Sequence, residues 1–437
     1  MNPVDSNALS LRQLRAVLRV AETGSITRAS ALLARSHSAT SKAISQIEKH
    51  LGVKLFDRVS AGMIPTSYGE TLVKRLKSTH REFESAGAEY RNLIGDLNQR
   101  QNPPVFRMEI GNNRLVAFMA VHRFQDIRLA ADRLNITPHA VYRSLNELQD
   151  QLKLPLFGRS TGGTLDATPF SRVLNTHVRL AFSEIQHAID EMAGMADGII
   201  RGRVAIATLP PVRNLIAPRA IGKLLEAHPR IRVATLEGDF HVMESALRSG
   251  DLDFIIGGRY VIPDHADLIV HPIMDAEARV LAQAGHPLCR LQSVTAQDLA
   301  AAKWILPPKD TPVAEWFESY FNERGLDPPS DYVESASSQI VDGILMESDR
   351  LAISSEYDAQ RRSEQSSIIM LAARDFEQYS RTTLPKLQII MRANTTMSPP
   401  AKLFYEQLIG VVREIERTGR IEKQAPERER RIVKRVK

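Results

Sequence analysis

An internal repeat constrains this chain more than any other feature. Residues 14–60 align without a gap on residues 115–161, a constant shift of 101 positions, and 11 of the 47 pairs are identical. Every identical pair except Arg58/Arg159 is apolar (Leu14/Leu115, Val20/Val121, Ile26/Ile127 and Leu51/Leu152 among them). Two segments that keep the same apolar positions keep the same core, while their polar faces are free to diverge. The rest of the 437 residues carries no further copy, so the chain reads as two small like domains and a larger unlike one, within the two to four domains its length allows.

In the first copy, LRQLRAVLRVAET has a helical period with Leu11, Leu14, Val17, Leu18 and Ala21 on one stripe, and Gly24 ends it. A short helix over Thr27 to Ala34 is expected to turn Ala29, Leu32 and Leu33 inward. Ser36 is placed to cap a third helix over His37 to His50, with Ala39, Ala43, Ile44, Ile47 and Leu51 inward. His37, Ser38, Ser41, Lys42 and Ser45 are then left on or near the other side. Short hydroxyls, an imidazole and an ammonium at the start of an exposed helix suit a reader of the DNA major groove, where polar tips reach base edges and cations neutralise phosphate. KLFDRVSAGMIPTSYG follows as strand, glycine turn and strand, a wing that would set Arg58 near flanking phosphates.

Charge separates the copies. Residues 10–66 carry nine basic and three acidic side chains, residues 114–170 seven and five, and residues 201–417 are acidic with 24 against 29. A cationic N-terminus before neutral and acidic stretches points to a polyanion at that end. Each copy is followed by an amphipathic helix with coiled-coil spacing: Leu72, Leu76, Thr79, Phe83, Ala86, Tyr90, Leu93 and Leu97, then Leu174, Val178, Ala181, Ile185, Ala188, Met192 and Met195. Such seams need a partner helix. QNPPVFRMEIGN at 101–112 reads as a hinge.

LRQLRAVLRVAETGSITRASALL, SHSATSKAISQIEKHLGVKLFDR and PTSYGETL together resemble the winged helix-turn-helix of LysR-type transcriptional regulators over the whole of residues 10–70. The resemblance implies that Ser36, His37, Ser38, Ser41 and Lys42 touch bases or phosphates and that Arg58 is a wing contact. His37, Ser38 and Lys42 stand where the family usually has glutamine, proline and arginine, so the target sequence does not carry over. The second copy offers Thr137, Pro138, His139, Tyr142, Arg143 and Arg159 at matching places. Tyr142 fills a slot where a small serine is usual, and Pro155 interrupts the approach to the wing. This copy is either a second reader or a spacer that keeps the fold. The resemblance also implies a homodimer or homotetramer through the linker helices.

From Arg201 short strands alternate with helices, beginning RVAIAT, NLIAPRAIGKLLEAHP, IRVATLEG, MESALRSG and LDFIIGG, which is a βαβαβ start. GRVAIATLPP, EAHPRIRVATLEGD, LRSGDLDFIIGG and AGHPL make residues 201–417 similar to the effector-binding half of the same regulators. The expected fold class is therefore α+β and α/β multidomain: two winged helix-turn-helix domains with linker helices, then a two-lobed, periplasmic-binding-protein-like (type 2) α/β effector domain. The expected units are a DNA-binding domain at 9–67, linker helix and hinge at 68–112, a second helix-turn-helix at 113–170 and its linker at 171–200. The effector domain follows at 201–417, with lobe I at 201–273 and 375–417 and lobe II at 274–374, then a basic tail at 418–437. Ligands in such folds bind at the carboxyl ends of strands, which nominates Thr208, Thr311, Ser335 and Ser337, with Arg259 as a carboxylate partner. The competing reading of Thr311 and the serines is plain helix capping.

No Walker loop, GxGxxG, nucleophile elbow, HExxH or cysteine cluster occurs, so no catalytic residue, metal or cofactor is expected. No apolar run approaches a membrane span, the first residues lack a secretory pattern, and Cys289 is alone, which together point to reducing cytoplasm. The expected function is a ligand-responsive regulator of catabolic or uptake genes with double-stranded DNA and a small organic effector, an aromatic acid or sugar derivative, as partners. RNA polymerase is a further candidate partner. Two other classes compete: an architectural DNA-binding protein that answers no ligand, and a transport-type solute receptor, disfavoured by the attached helix-turn-helix units.

Overall fold

The computed structural model describes residues 6–60, 62–95, 102–159, 164–258, 267–275, 277–309, 311–393 and 395–424. The first copy forms α1 (Leu11–Thr23), α2 (Ile26–Leu32), α3 (His37–Leu51), the hairpin β1 (Phe56–Val59) and β2 (Gly62–Pro65), and the long α4 (Ser67–Ile94). The second repeats the set as α5 (Asn112–Phe124), α6 (Ile127–Leu134), α7 (Pro138–Leu152), β3 (Phe157–Arg159), β4 (Leu165–Ala167) and α8 (Pro169–Asp197). In both, the helix entering each head ends on a left-handed residue, Gly24 at φ 64° and its counterpart Gln125 at φ 51°. In both, the wing is tied to that turn: the Met63 N–H donates to the Gly24 carbonyl at 2.9 Å, and the Leu165 N–H to the Gln125 carbonyl at 3.1 Å. The second wing holds one extra residue, so from Thr66 and Thr168 onward, each the N-cap of its linker helix, the copies are offset by 102 rather than 101.

Within the first head two expected positions are corrected. On α3 it is Thr40, three and four residues before Ala43 and Ile44, that joins the stripe with Ile47 and Leu51, not Ala39; Ala39 is exposed and Thr40 fully buried. The Thr40 hydroxyl accepts from Ser30 at 2.9 Å and donates to the Ser36 carbonyl at 3.2 Å, so the polar group is paired. Leu32, at the last turn of α2, points outward and is 64% exposed.

The two seams find each other. Contacts run from Thr71 with Met195, through Arg75 with Glu184, Thr79 with Ala181 and Glu82 with His177, to the rings of Tyr90 and Phe170, so α4 and α8 pack antiparallel within one chain. The partner helix expected from a second copy is supplied in cis. Leu93 is exposed beyond the paired region, Met195 is 44% exposed at its other end, and Leu97 lies outside the described residues. One apolar core runs from Leu9 to Met192 through both heads and both linkers. The expected hinge is part of it. Val105, Phe106, Met108 and Ile110 are buried, and the Phe106 ring lies 5.3 Å from Tyr90. Four such side chains, each contributing roughly 1.5–3 kcal/mol on burial, fix this segment rather than leave it to swing.

Beyond α8, lobe I comprises β5 (Gly202–Thr208), α9 (Pro210–Arg213), α10 (Ile216–Ala227), β6 (Ile231–Leu236), α11 (Phe240–Arg248), β7 (Phe254–Gly257) and β8 (Leu268–Met274). Lobe II follows with β9 (Ala278–Gln283), α12 (Ala296–Ala300), β10 (Lys303–Leu306), α13 (Pro312–Asn322), β11 (Tyr332–Glu334), α14 (Ser338–Glu347), β12 (Arg350–Ser355), α15 (Glu356–Gln365), β13 (Ile368–Met370) and α16 (Arg374–Thr383). The chain returns to lobe I with β14 (Leu387–Arg392) and α17 (Pro399–Gln424). The five-stranded sheets have the orders β6-β5-β7-β14-β8 and β11-β10-β12-β9-β13. The return comes later than position 375: Phe376 and Tyr379 of α16 pack in the lobe II core against Trp316 and Tyr320. Lobe I docks on α8, where Gly250, at φ +77°, lets Leu180 approach so closely that a Cβ would stand 2.7 Å from it.

Candidate functional site

The start of α3 is open to solvent as a polar strip. Ser36 caps the helix, accepting the Ala39 N–H at 3.2 Å. His37, Ser38 and Lys42 are exposed and Ser41 half-exposed, and Arg58 sits exposed on β1 opposite Met63. One turn after Lys42 comes Gln46, whose amide oxygen accepts from Gln13. Among the described residues Lys42 has no carboxylate within ion-pair distance, so its charge is available to a phosphate or a base edge.

The second head holds the same strip differently. Thr137 caps α7, accepting the Ala140 N–H at 3.2 Å, and Pro138 opens the helix. His139 is exposed, Tyr142 is 52% exposed, and Arg143 projects into solvent. Here the pair corresponding to Gln13 and Gln46 is Arg114 and Glu147, a charged pair, and Glu147 also lies 3.8 Å from the Arg143 Nε. Pro155 does not disturb the wing: its carbonyl still accepts from the Thr168 hydroxyl at 3.1 Å, as that of Lys54 accepts from Thr66 at 2.7 Å in the first head. What Pro155 removes is the Lys54 cation. Arg159 ends β3, and its side chain lies outside what is described.

In the effector half, Thr208 ends β5 and is 3% exposed, with its carbonyl accepting from Arg213 at 3.2 Å. Thr311 caps α13 and donates to the Pro308 carbonyl at 2.6 Å; Ser337 caps α14, and Ser335 accepts the Ser337 N–H at 3.2 Å. The capping expected for Thr311 and Ser337 is thus present. Because β10 and β11 are parallel neighbours, Thr311, Ser335 and Ser337 gather at one end of the lobe II sheet, while Thr208 belongs to lobe I. Arg259 lies outside the described residues. The lobes are bridged by Asn214, which donates to Asp358 at 3.0 Å, a pair that no sequence pattern announced.

Sequence reasoning also missed Arg75, which is 1% exposed. From α4 its guanidinium donates to Glu184 at 2.9 Å and Glu191 at 3.0 Å on α8, and to the carbonyls of Thr396 at 2.8 Å and Met397 at 3.0 Å in lobe I. Burial opposes its charge, but Glu184 and Glu191 overcome that and raise its pKa above the ordinary value. Beside it a cavity of about 230 Å³ opens between the linkers and lobe I, bounded by Glu82, Glu184, His187, Asp253 and Arg392. Burial, with Arg75 and Arg392 nearby, lowers the His187 pKa to about 3, so its imidazole is neutral in the folded protein. Thr208, Thr311, Ser335 and Ser337 do not line this cavity.

Residues 11–70 and again 112–172 match the family described as bacterial regulatory helix-turn-helix protein, lysR family, and residues 198–413 match the LysR substrate binding domain. The HTH-type transcriptional regulator GalR of Pseudomonas putida is 32% identical over 349 residues, 80% of this chain and 85% of that protein. The HTH-type transcriptional regulator GbpR of Azospirillum brasilense is 30% identical over 244 residues, 55% of this chain and 70% of its own length. A full-length OxyR point variant from Pseudomonas aeruginosa, known from its solved structure, is 18% identical with a TM-score of 0.48, covering 69% of this chain and 94% of that one.

Proposed function

Since the chain belongs to the LysR family, with the family's helix-turn-helix present twice and its substrate-binding domain once, we propose how its parts divide the work of a regulator. It is a DNA-binding transcriptional regulator whose partners are double-stranded DNA and a small-molecule effector. In our reading Ser36, His37, Ser38, Ser41, Lys42 and Arg58 make the principal DNA contacts. Thr208, Thr311, Ser335 and Ser337 face an organic acid between the lobes. The regulated genes serve catabolism or uptake of an aromatic acid or a sugar derivative, and the protein works in the cytoplasm without catalysis.

One observation carries this reading: the uncovered polar start of α3 stands on a head whose linker helix is bonded through Arg75 both to the second linker and to lobe I. A change in lobe arrangement moves the Thr396–Met397 backbone and so bears directly on both linkers. In a thermal-shift screen of small organic acids, a ligand of the folded protein raises the melting temperature. The hit compound should then alter the footprint on DNA. Thr208→Val, which keeps the size and removes the hydroxyl, should shrink the thermal shift and leave DNA affinity unchanged. A full shift in that variant removes Thr208 from the cleft, and a footprint indifferent to every bound compound returns the architectural reading.

A further inference from the structure

The contacts between the two copies are related to one another by a two-fold rotation. Arg75 pairs with Glu184 at 2.9 Å, and their counterparts at the offset of 102, His177 and Glu82, pair at 2.8 Å. Thr79 donates at 3.3 Å to the carbonyl of Ala181, which is its own counterpart, so the axis passes there. At the other end of the interface Asn112 accepts the N–H of its counterpart, Leu11, at 3.1 Å. The short 3-10 turns that precede the heads also exchange partners: Ser6–Ala8 lies on α8, and Pro104–Arg107 lies on α4. None of these contacts involves the first two turns of α3 or α7. Helix α7 is held by α5 and α6 and, at its C-terminal end, by the Tyr90 hydroxyl on the Leu152 carbonyl at 2.8 Å. Its reading end is left as open as that of α3.

We propose that a single chain is a complete two-headed DNA reader, taking one duplex that carries two inverted but unequal elements. The inference rests on the family reading of the heads. A two-fold rotation that carries one head onto the other matches the two-folds of duplex DNA, so heads on the same duplex face read elements in opposite strand sense. The elements differ because the readers differ position by position: His37 against Pro138, Ser38 against His139, Ser41 against Tyr142, and Lys42 against Arg143. Two copies of a one-headed chain present identical readers, whereas fusing the heads in one chain lets each half of the operator be specified separately. The first head supplies most of the phosphate neutralisation, with a net charge of +6 over residues 10–66 against +2 over residues 114–170.

The test uses the full-length protein and a pool of random-sequence duplexes, enriched for binding, followed by native mass spectrometry of the complex. Enrichment should yield two elements of opposite orientation and different sequence at fixed spacing, with two elements for every bound chain. Inserting five base pairs between them, half a helical turn, should lower affinity by about tenfold or more. Lys42→Ala should weaken selection at one element only, and Arg143→Ala at the other only; both side chains are on the surface and the fold is spared. Two identical elements that both depend on Lys42 and need two chains overturn the proposal and leave the regulator intact, as does a single element. A pool that yields no consensus overturns the sequence-specific regulator itself.

Discussion

One turn after Lys42 the first head places Gln46, bonded to Gln13; at the same place the second head has Glu147, bonded to Arg114 and close to Arg143. The first arrangement is neutral and leaves the reading cation alone. The second brings a carboxylate to the reading face, so an approaching phosphate competes with a charge already there. The heads share caps, wing bonds and most of the core, and the reading faces differ at polar positions that the core does not constrain. The same contrast appears inside: Ser30 and Thr40 form a buried hydroxyl pair where the second head has Ala131 and Val141. A duplicated scaffold is thus kept by packing while its charge drifts.

The effector domain breaks the symmetry further, and the largest expected effect lies there. Arg75 touches lobe I, whereas its counterpart His177 touches only Glu82 among its described hydrogen-bonding and ionic partners. Arg75→Ala leaves buried carboxylates and carbonyls without a partner and should cost about 3–5 kcal/mol in denaturant melts, against roughly 1 kcal/mol or less for the part-buried pair lost in His177→Ala. Equal losses would mean that the node does not join the three parts.

The pH dependence is next. His187, on the face of α8 that lobe I covers, has a pKa of about 3 when folded, while a histidine in the unfolded chain titrates near 6.5. Between these values the unfolded chain binds a proton that the folded one does not, so stability falls as pH drops from about 6.5 toward 3. The corresponding position in the first linker is Ser85, which is exposed. His187→Gln should flatten the stability profile across that window, and an unchanged slope would assign it to other groups.

On DNA, Lys42→Ala should weaken binding about tenfold and reduce the salt slope by about one, with Arg143→Ala costing less because Glu147 already opposes that charge. Glu147→Gln should bring the two effects closer together. If Arg143→Ala costs more than Lys42→Ala in filter-binding titrations, the ranking of the heads is reversed. The smallest effect concerns the buried hydroxyls. Thr40→Val should cost about 1 kcal/mol by depriving Ser30 of a partner, while Ser30→Ala with Thr40→Val, which reproduces the second head's solution, should recover most of it in thermal melts.

Much of this was legible in the residues. Both helix-turn-helix units, their capping serine and threonine, both linker helices and the βαβαβ start of the effector half follow from local periodicity and turn chemistry, which act over a few residues and need no partner. Ala39 and Leu32 read as inward because each stands three or four residues from another apolar position, and each falls one step, about 100° of rotation, beside the face that packs. Strand β8 and helices α15 and α16 went unread because their patterns are polar or irregular and become ordered by the sheets they pack on. The Asn214–Asp358 bridge joins residues 144 positions apart, and nothing near either one signals the other.

The sequence by itself determined that there are two heads on one scaffold, that the first is the more cationic, and that each is followed by a helix in need of a partner. A heptad seam records that a partner exists but not which chain carries it, since the apolar positions look the same either way. Only the tertiary structure decided that α4 takes α8 of the same chain. It did so because Val105, Phe106, Met108 and Ile110, which read as a hinge beside two prolines, find apolar neighbours on both sides and hold the second head against the first.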